Sequence, residues 1–331
     1  MGLIFLLATL PSRRLVSLKM GILSRAGCFL FFVGCLFCGS LLGEEAKESA
    51  SDPQPLMDYT DAVVYGLVEG VTEFLPVSST GHLILTKEWL SDKGGAEAEV
   101  ALNAYLIVIQ FGAILAVGVL YWREIWAVLL GVVGLDPRGR SLGLNLLFAF
   151  LPAAALGPLL DEFIEETLFG AKPVAVALIL GALLMFWAER MRTKRENGGP
   201  AGKSADLAHL SLPSAFFIGL MQCVAMCPGT SRSMMTIVGG YFVGLRPAKA
   251  AEFSFLLGLV TLSAAAGYKV VTKGEEMSAH LDFGPVLVGC LLAGVSAAFA
   301  VRWLVTYLSQ RGLGLFAWYR LGLAAIVLAL A

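Results

Sequence analysis

The sequence predicts an all-α polytopic membrane protein, on the basis of its composition, its long apolar runs and two polar interruptions. The 331 residues are 57% hydrophobic and 15% charged, with a mean hydropathy of +0.78, whereas a soluble domain averages about 25% charged residues. The apolar runs are unbroken over about 20 residues, which favours membrane helices over the alternating strands of a barrel. Two stretches also contain ionisable groups, which are costly at membrane depth and therefore indicate function.

The first 50 residues are predicted to be a signal-like N-terminal extension. Four basic residues within 13–25 precede an apolar run over 26–43, and a polar, acidic stretch over 44–52 follows. This order of positive, apolar and polar segments is typical of a secretory signal peptide. An uncleaved extra helix is the alternative, because 18 apolar residues nearly span a bilayer. Residues 51–331 are predicted to form a single membrane domain.

Six transmembrane helices are predicted after this extension, at 101–121, 142–160, 171–189, 250–270, 283–306 and 313–331. Two polar-interrupted segments, 58–90 and 211–246, come in addition to these spans, and each precedes three of them. The domain therefore divides into half 1 (57–189), a Gly-rich linker (190–210) and half 2 (211–331). Because three is an odd number of crossings, half 2 is expected to be inverted relative to half 1.

The two interrupted segments resemble each other at a spacing of 153 residues. Gly66 and Gly219 each precede a leucine near the start of a segment, and Glu69 then corresponds to Gln222. A proline and a cluster of Ser and Thr residues follow in both segments. Broken helices in inverted repeats bring polar groups together near the bilayer midplane. We therefore expect the two segments to enter from opposite sides and to meet there.

Charge bias gives the expected orientation. Basic residues concentrate within 123–140, 190–203 and 302–311, and the positive-inside rule assigns such segments to the cytoplasm. The segment 161–172 carries four carboxylates against one lysine and is expected outside. With six crossings, the mature N-terminus then lies outside, as a cleaved signal requires.

Two carboxylates in the first interrupted segment are the first candidates for a site. Glu69 and Glu73 are four positions apart on a predicted helix, so they share one face. Their neighbours are apolar, which argues against a solvated helix face. Two carboxylates on one face bind a divalent cation, or act as a base and its electrostatic partner.

Hydroxyl groups and a histidine follow these carboxylates. Pro76 is expected to end the first helix, after which Ser78, Ser79 and Thr80 cap a second short helix. The N-terminus of a helix binds anions, although capping alone is the alternative. His82 lies three or four residues from the serines, close enough to reach a hydroxyl. A serine–histidine pair is a nucleophile–base arrangement.

The second interrupted segment contains a positively charged side chain, Arg232. Arg232 lies in the sequence PGTSRS, a turn that leads into a helix, and its forked guanidinium suits phosphate oxygens. A structural ion pair between Arg232 and Glu69 or Glu73 is the alternative. Gln222 is expected to donate a hydrogen bond behind the site. The candidate substrate-binding residues are Ser78, Thr80, Gln222, Ser231, Ser233 and Thr236.

Together these groups favour a phosphate ligand within the membrane. An arginine and helix N-termini bind a phosphate, two carboxylates bind a metal ion, and Ser with His indicates transfer of a phosphoryl group. A site at membrane depth then indicates a lipid-linked phosphate. The sequence contains no stripe of basic residues of the kind that indicates nucleic-acid binding.

Two motifs carry a family resemblance. EGVTEFLPVSSTGH, residues 69–82, closely resembles the first signature of the undecaprenyl-diphosphate phosphatase family of the bacitracin-resistance type. PGTSRSMMT, residues 228–236, resembles its second signature, except that Met234 stands where glycine is usual. A side chain there is expected to crowd the loop behind Arg232. The resemblance covers roughly 57–331.

This resemblance implies a bacterial inner-membrane enzyme with six transmembrane helices and two re-entrant helical hairpins in an inverted repeat. Its implied reaction is hydrolysis of undecaprenyl diphosphate to undecaprenyl phosphate and inorganic phosphate, with the active site open to the periplasmic side. That reaction recycles the lipid carrier for peptidoglycan and other envelope polymers and confers bacitracin resistance. The implied cofactor is a divalent cation, Mg²⁺ or Ca²⁺. The expected partners are the lipid substrate and membrane lipids, with a homodimer as one open oligomeric state.

The resemblance also implies roles for individual residues. Glu69 and Glu73 would bind the metal or activate water, and Arg232 would hold the diphosphate. Ser79 or His82 would take the phosphoryl group or assist its transfer, and we favour Ser79 as nucleophile with His82 as base. Direct attack by a water positioned by Glu73 stays open. A polyprenyl-phosphate flippase or transporter is the alternative function, since inverted repeats with broken helices are typical of transporters.

Overall fold

Helices account for all the regular secondary structure in the described part of the chain, which confirms the all-α prediction. The structure is a computed structural model that describes residues 57–90, 96–198, 207–278 and 281–330. Within these ranges the chain forms eleven α-helices and one short 3-10 helix. The described residues belong to one compact unit within Pro55–Ala331, and the predicted extension over 1–50 lies outside them.

Pairs of short helices alternate along the chain with long helices. The first six are α1 Tyr59–Thr72, α2 Ser79–Trp89, α3 Ala96–Leu120, α4 Trp122–Val132, α5 Pro137–Leu168 and α6 Ala171–Gly198. After the 3-10 helix Leu207–His209 come α7 Leu212–Val224, α8 Arg232–Phe242, α9 Pro247–Ser278, α10 Phe283–Arg311 and α11 Gly314–Leu330. The two short pairs, α1–α2 and α7–α8, coincide with the two polar-interrupted segments.

Five of the described helices are long and apolar enough to cross a membrane. The spans are Val100–Leu120, Pro137–Asp161, Ala171–Arg195, Pro247–Thr272 and Phe283–Arg311, and they match the first five predicted spans. The chain is therefore a multi-pass membrane protein. The predicted sixth span forms α11, which is apolar but has only 17 residues. At 1.5 Å per residue it is about 26 Å long, less than the roughly 30 Å of a hydrocarbon core.

Several helices continue beyond the predicted spans. α5 runs to Leu168, through most of the segment 161–172 that separates two predicted spans, and α6 runs to Gly198, inside the predicted linker. α4 is an additional helix that packs against α5. The predicted spans ended where apolar residues end, but glutamate, lysine and arginine are good helix formers, so the helices extend into polar sequence.

The two short-helix pairs share one construction. Ser78 is the N-cap of α2 and Ser231 is the N-cap of α8, with φ values of 76° and 70°. No other non-glycine residue in the described ranges has a positive φ. Each serine hydroxyl accepts a hydrogen bond from the backbone N–H three residues later, at 3.4 Å in both turns. The internal repeat expected from sequence is therefore present in the backbone of these turns.

Each pair docks on a long helix of the other half. α1 packs on α10, where a Cβ added to Gly66 would lie 2.7 Å from the carbonyl oxygen of Gly289. α7 packs on α5, where a Cβ added to Gly219 would lie 2.3 Å from the carbonyl oxygen of Ala149. Small residues allow such close approach of helices in membranes. This reciprocal packing places the two turns in the interior of the bundle.

Candidate active site

The turns of the two short-helix pairs touch each other. The Ser233 hydroxyl, in the first turn of α8, donates to the carbonyl oxygen of Leu75 at 2.8 Å, and the bond is buried. The Phe74 ring beside it packs edge-on against Phe255 of α9, with ring centroids 5.8 Å apart. The two interrupted segments are thus joined by a direct hydrogen bond, and α9 packs against the first of them beside that bond.

The carboxylate of Glu73 lies between the two turns. Glu73 is the C-cap residue of α1 and is 8% exposed. Its Oε1 accepts from Nη2 of Arg232 at 3.3 Å, and its Oε2 accepts from the Ser79 hydroxyl at 3.1 Å. Three predicted site residues from both segments therefore form one hydrogen-bonded chain. The ion pair that sequence analysis left open for Arg232 is formed with Glu73.

The guanidinium of Arg232 is fixed by α9 and by the first turn. Its Nη1 donates to the carbonyl oxygen of Ser254 at 3.2 Å, and its Cζ lies 5.4 Å from the centre of the Phe74 ring. Gly258 lies so close that an added Cβ would be 2.3 Å from Nη1. The Nε–H is buried and has no hydrogen-bond partner among the described residues. One donor of an immobilised cation is therefore left for a ligand.

Glu69 lies one helical turn before Glu73 and is 3% exposed. Its Oε1 accepts from Nε2 of Gln110 at 3.3 Å, whereas its Oε2 is buried without a partner in the described part of the chain. Burying an unpaired polar oxygen is costly, and a bound cation would satisfy it. The described residues contain no group of three or more His, Cys, Asp or Glu arranged for a metal. Because Mg²⁺ commonly uses one or two carboxylates plus substrate phosphates, this pair of carboxylates still fits a divalent cation.

The hydrogen-bond partners of His82 are groups other than the Ser79 hydroxyl. Its Nδ1 lies 2.7 Å from the carbonyl oxygen of Ser78, and its Nε2 lies 2.7 Å from the hydroxyl of Tyr319. One turn of helix separates His82 from Ser78, so the ring folds back onto that carbonyl while the Ser79 hydroxyl turns toward Glu73. The expected Ser79–His82 hydrogen bond is therefore replaced by a Ser79–Glu73 hydrogen bond. The catalytic roles of these residues stay predictions.

The other predicted binding residues divide between the turns and the helix packing. The hydroxyls of Ser78 and Ser231 cap their helices, and Thr80 is half-buried in the first turn of α2. Thr236 is fully buried, and its hydroxyl lies 2.6 Å from that of Ser254, so it connects α8 to α9. Gln222 is buried in α7, and its amide has no hydrogen-bond partner among the described residues.

Met234, the departure from the resembled motif, is accommodated beside α6. Its side chain is fully buried, and a Cβ added to Gly181 would lie 2.9 Å from its terminal methyl. Its backbone N–H still donates to the hydroxyl of Ser231, as the N–H of Gly81 does to Ser78 in the first turn. The N-cap is therefore formed in both turns, with glycine in one and methionine in the other.

A family model described as "Bacitracin resistance protein BacA" matches residues 62–326, a range that includes both turns. The chain belongs to the BacA family. Its relatives include the undecaprenyl-diphosphatase of Sorangium cellulosum (strain So ce56), 45% identical over 277 residues, which cover 82% of this chain and 86% of the relative. The undecaprenyl-diphosphatase 1 of Chromobacterium violaceum is 43% identical over 268 residues, covering 81% and 94%. That of Bordetella avium is 37% identical over 278 residues, covering 82% and 96%.

Four residues around the site of this BacA-family chain were missed by sequence reasoning. Gln110 and Arg320 are polar residues inside apolar runs, so their position alone was a usable signal. Ser254 and Tyr319 gave no such signal, because a serine or a tyrosine is common in a membrane helix. Tertiary packing alone brings Ser254 to Arg232 and Tyr319 to His82.

The geometry of this BacA-family site suits an anionic substrate. Two helices, α2 and α8, begin at the two turns, and helix N-termini carry partial positive charge from their free N–H groups. Arg232 adds a full positive charge with an unpaired donor. The Ser79 hydroxyl is hydrogen-bonded to a carboxylate, which is the arrangement of a nucleophile and its base. This arrangement of donors and a hydroxyl is the basis for the function proposed below.

Proposed function

We propose that this BacA-family protein hydrolyses undecaprenyl diphosphate to undecaprenyl phosphate and inorganic phosphate. The observation that carries the proposal is the hydrogen-bonded chain from Ser79 through Glu73 to Arg232, which joins a hydroxyl, a carboxylate and a cation across both turns. The relatives quoted above are named as undecaprenyl-diphosphatases, and none of those names supports a transporter. The product would return the lipid carrier to peptidoglycan synthesis, and this activity would confer bacitracin resistance.

Charge neutralisation is the main contribution of the protein in this proposal. Phosphoryl transfer depends on positioning and on stabilising charge at the phosphate oxygens, with little covalent work by the enzyme. Arg232 would bind the terminal phosphate through Nε, while the N-termini of α2 and α8 supply backbone N–H groups. The Ser233 hydroxyl already donates to Leu75, and the Ser231 hydroxyl lies 3.1 Å from it, so these two serines would hold the turn that carries Arg232.

Ser79 is the nucleophile that the contacts favour. In the proposed step its Oγ attacks the terminal phosphorus, its proton passes to Glu73, and undecaprenyl phosphate leaves. Water then hydrolyses the phosphoserine and releases inorganic phosphate. Glu73 replaces His82 as the base because its Oε2 is the acceptor of the Ser79 hydroxyl. Direct attack by water held by Glu73 is the alternative, and trapping of a labelled phosphoserine at residue 79 would separate the two.

Glu69 and Glu73 would hold a divalent cation, Mg²⁺ or Ca²⁺. The unpartnered Oε2 of Glu69 provides a free carboxylate oxygen one helical turn from Glu73. A bound cation would supply positive charge for the phosphate oxygens of the substrate. The protein itself orients both carboxylates, one through Gln110 and the other through Arg232 and Ser79.

The finer topology also belongs to this proposal. We infer six crossings, with α11 as the short sixth one, and two re-entrant pairs that form an inverted repeat. The shared N-cap geometry and the reciprocal docking of α1 and α7 support this arrangement. The basic segment 123–140 would lie in the cytoplasm and the acidic end of α5 outside the inner membrane. The site would then open to the periplasmic side.

Phosphate release from a pure lipid substrate tests the function. The protein is purified in detergent and mixed with undecaprenyl diphosphate in the presence of Mg²⁺, of Ca²⁺ or of a chelator. We expect release of inorganic phosphate with either cation and little release with the chelator. An Arg232→Ala variant purified in parallel controls for contaminating phosphatases. Absence of phosphate release under every condition would refute the proposal.

A further inference from the structure

The last described helix carries two adjacent polar residues that the proposed chemistry does not use. Tyr319 and Arg320 lie in the first half of α11, which is otherwise apolar. Successive residues of an α-helix point about 100° apart, so these two side chains reach different neighbours. Tyr319 contacts His82 of α2, and Arg320 contacts Gly229 in the turn before α8. One helix thus contacts both halves of the site.

Arg320 is fully buried and is held by backbone carbonyl groups. Its Nη2 donates to Gly229 at 2.9 Å and to Ala177 at 3.2 Å, and its Nε donates to Leu178 at 3.3 Å. None of the salt bridges within the described residues involves Arg320. Gly181 makes room for the guanidinium, because an added Cβ would lie 2.3 Å from Nη2. A buried cation without an acidic partner is costly in a membrane, so these contacts indicate a specific role.

The contact with Gly229 fixes the turn that presents Arg232. Gly229 has a φ of 92°, and an added Cβ would lie 2.6 Å from the carbonyl oxygen of Val174, so the turn is pressed against α6. Its own carbonyl is held by Arg320. Only two residues separate Gly229 from Arg232, and Ser231 between them is the N-cap. Movement of this carbonyl would therefore move the start of α8.

The contact of Tyr319 fixes the ring of His82. The carbonyl oxygen of Ser78 can only accept a hydrogen bond, so Nδ1 of His82 carries a proton. In the neutral ring Nε2 is then an acceptor, and the Tyr319 hydroxyl donates to it at 2.7 Å. The two ring planes are parallel to within 7°, with their centroids 5.6 Å apart. Both nitrogens are thus engaged, which leaves the ring no freedom to rotate.

We propose that Tyr319 and Arg320 are a pair of positioning residues through which α11 aligns the two turns of the active site. Tyr319 holds His82 against the N-terminus of α2, and Arg320 holds the turn that places Arg232. The kinetic consequences rest on the proposed phosphatase function, whereas the contacts themselves are testable without turnover.

Nitrogen NMR tests the Tyr319 contact directly. The chain has three histidines, so His209→Gln and His280→Gln leave His82 as the single histidine signal in labelled protein. We expect Nδ1 to be protonated and Nε2 to be unprotonated and hydrogen-bonded. Tyr319→Phe should move the Nε2 resonance toward that of an unbonded nitrogen, while Trp318→Phe, an exposed neighbour, should leave it in place. A protonated Nε2, or no movement in Tyr319→Phe, would overturn the contact.

Steady-state kinetics then test the effect of the Tyr319–His82 contact on turnover. Loss of one neutral hydrogen bond in Tyr319→Phe should lower kcat about fivefold to tenfold, with KM changed by less than about twofold. An unchanged kcat would overturn the positioning role. If the unaltered protein releases no phosphate, the proposed function fails, while the NMR result still decides the contact.

Arg320 is tested by two variants, because one of them risks unfolding. Arg320→Lys keeps the charge but not the fork, and Gly181→Ala pushes a methyl group against Nη2. In each variant that keeps a sharp thermal transition, we expect KM to rise about tenfold, because the turn with Arg232 is displaced. Gly322→Ala, on the same helix in open space, is the matched control and should behave as the unaltered protein. A normal KM in folded Gly181→Ala would refute the role of Arg320.

Discussion

A single methyl group at Gly258 should disable the site without unfolding the protein. Gly258 lies on α9, and the three atoms nearest to a Cβ added there all belong to Arg232. In Gly258→Ala the new Cβ would lie 2.3 Å from Nη1, 2.6 Å from Cζ and 2.8 Å from Nη2 of Arg232. Ordinary contacts between such atoms are about 3.5 Å, so the guanidinium must move by roughly 1 Å.

The substitution should lower activity much more than it lowers the stability of the fold. The atoms that clash are the end of a long side chain, so the helix backbone need not shift. Alanine also favours an α-helix over glycine by about 0.5–1 kcal/mol. The displaced guanidinium, however, would lose its hydrogen bonds to Glu73 and Ser254, and a misplacement of about 1 Å costs on the order of 100-fold in rate. We expect kcat/KM to fall about 100-fold, with a thermal transition that stays cooperative but has a lower midpoint, because the buried ion pair with Glu73 is weakened.

Phosphate release and thermal melting measured together test this reasoning. Gly267→Ala is the matched control, because it lies on the same helix with no atom within 4 Å of its added Cβ, and its activity should be normal. In an Arg232→Ala background, Gly258→Ala should cause no further fall of the thermal midpoint, since the group that it displaces is gone. Normal activity of Gly258→Ala, or an added loss in the double variant, would refute the proposed geometry.

Three further predictions concern the candidate site and the orientation of the chain in the membrane. Arg232→Ala should nearly abolish phosphate release while the thermal transition persists, and near-normal turnover would show that the phosphate is held elsewhere. Glu73→Gln should remove most activity and weaken the dependence on added divalent cation, because it alters both a proposed metal ligand and the acceptor of the Ser79 hydroxyl. An unchanged dependence of activity on cation concentration would show that the cation binds at other residues. In a chain without its native cysteines, a cysteine at 164 should react with an impermeant reagent only from outside, and one at 197 only from the cytoplasm; swapped access would overturn the orientation.

The fold was largely predictable because apolar length determines membrane helices. Five predicted spans became helices that can cross a bilayer, and both interrupted segments became short-helix pairs. The helix ends were less predictable, since hydropathy marks where a chain leaves lipid and not where its backbone stops being helical. α4 and the final turns of α5 and α6 illustrate this limit.

The candidate site was predictable at the level of its motifs but not of its contacts. Glu73, Ser79 and Arg232 were chosen from sequence, and the structure brings them together. Which acceptor the Ser79 hydroxyl uses depends on how α2 begins, a backbone detail that residue spacing does not contain. His82 is turned away by its bond to Ser78, and Tyr319, its other partner, lies 237 positions later in the chain.

Two copies of one backbone construction here form a single site, because their side chains have diverged. Ser79 and Arg232 occupy the same position, the residue directly after a serine N-cap with positive φ. From these equivalent positions one supplies a hydroxyl and the other a guanidinium, and both contact Glu73. Positive φ at a serine is strained, and surrounding contacts must hold it. The bond from Ser233 to Leu75 joins one strained turn to the other, so each pair stabilises the conformation that its partner needs. A symmetric pair of such turns would present two serines or two arginines. Only the divergent pair places a hydroxyl and a cation on one carboxylate.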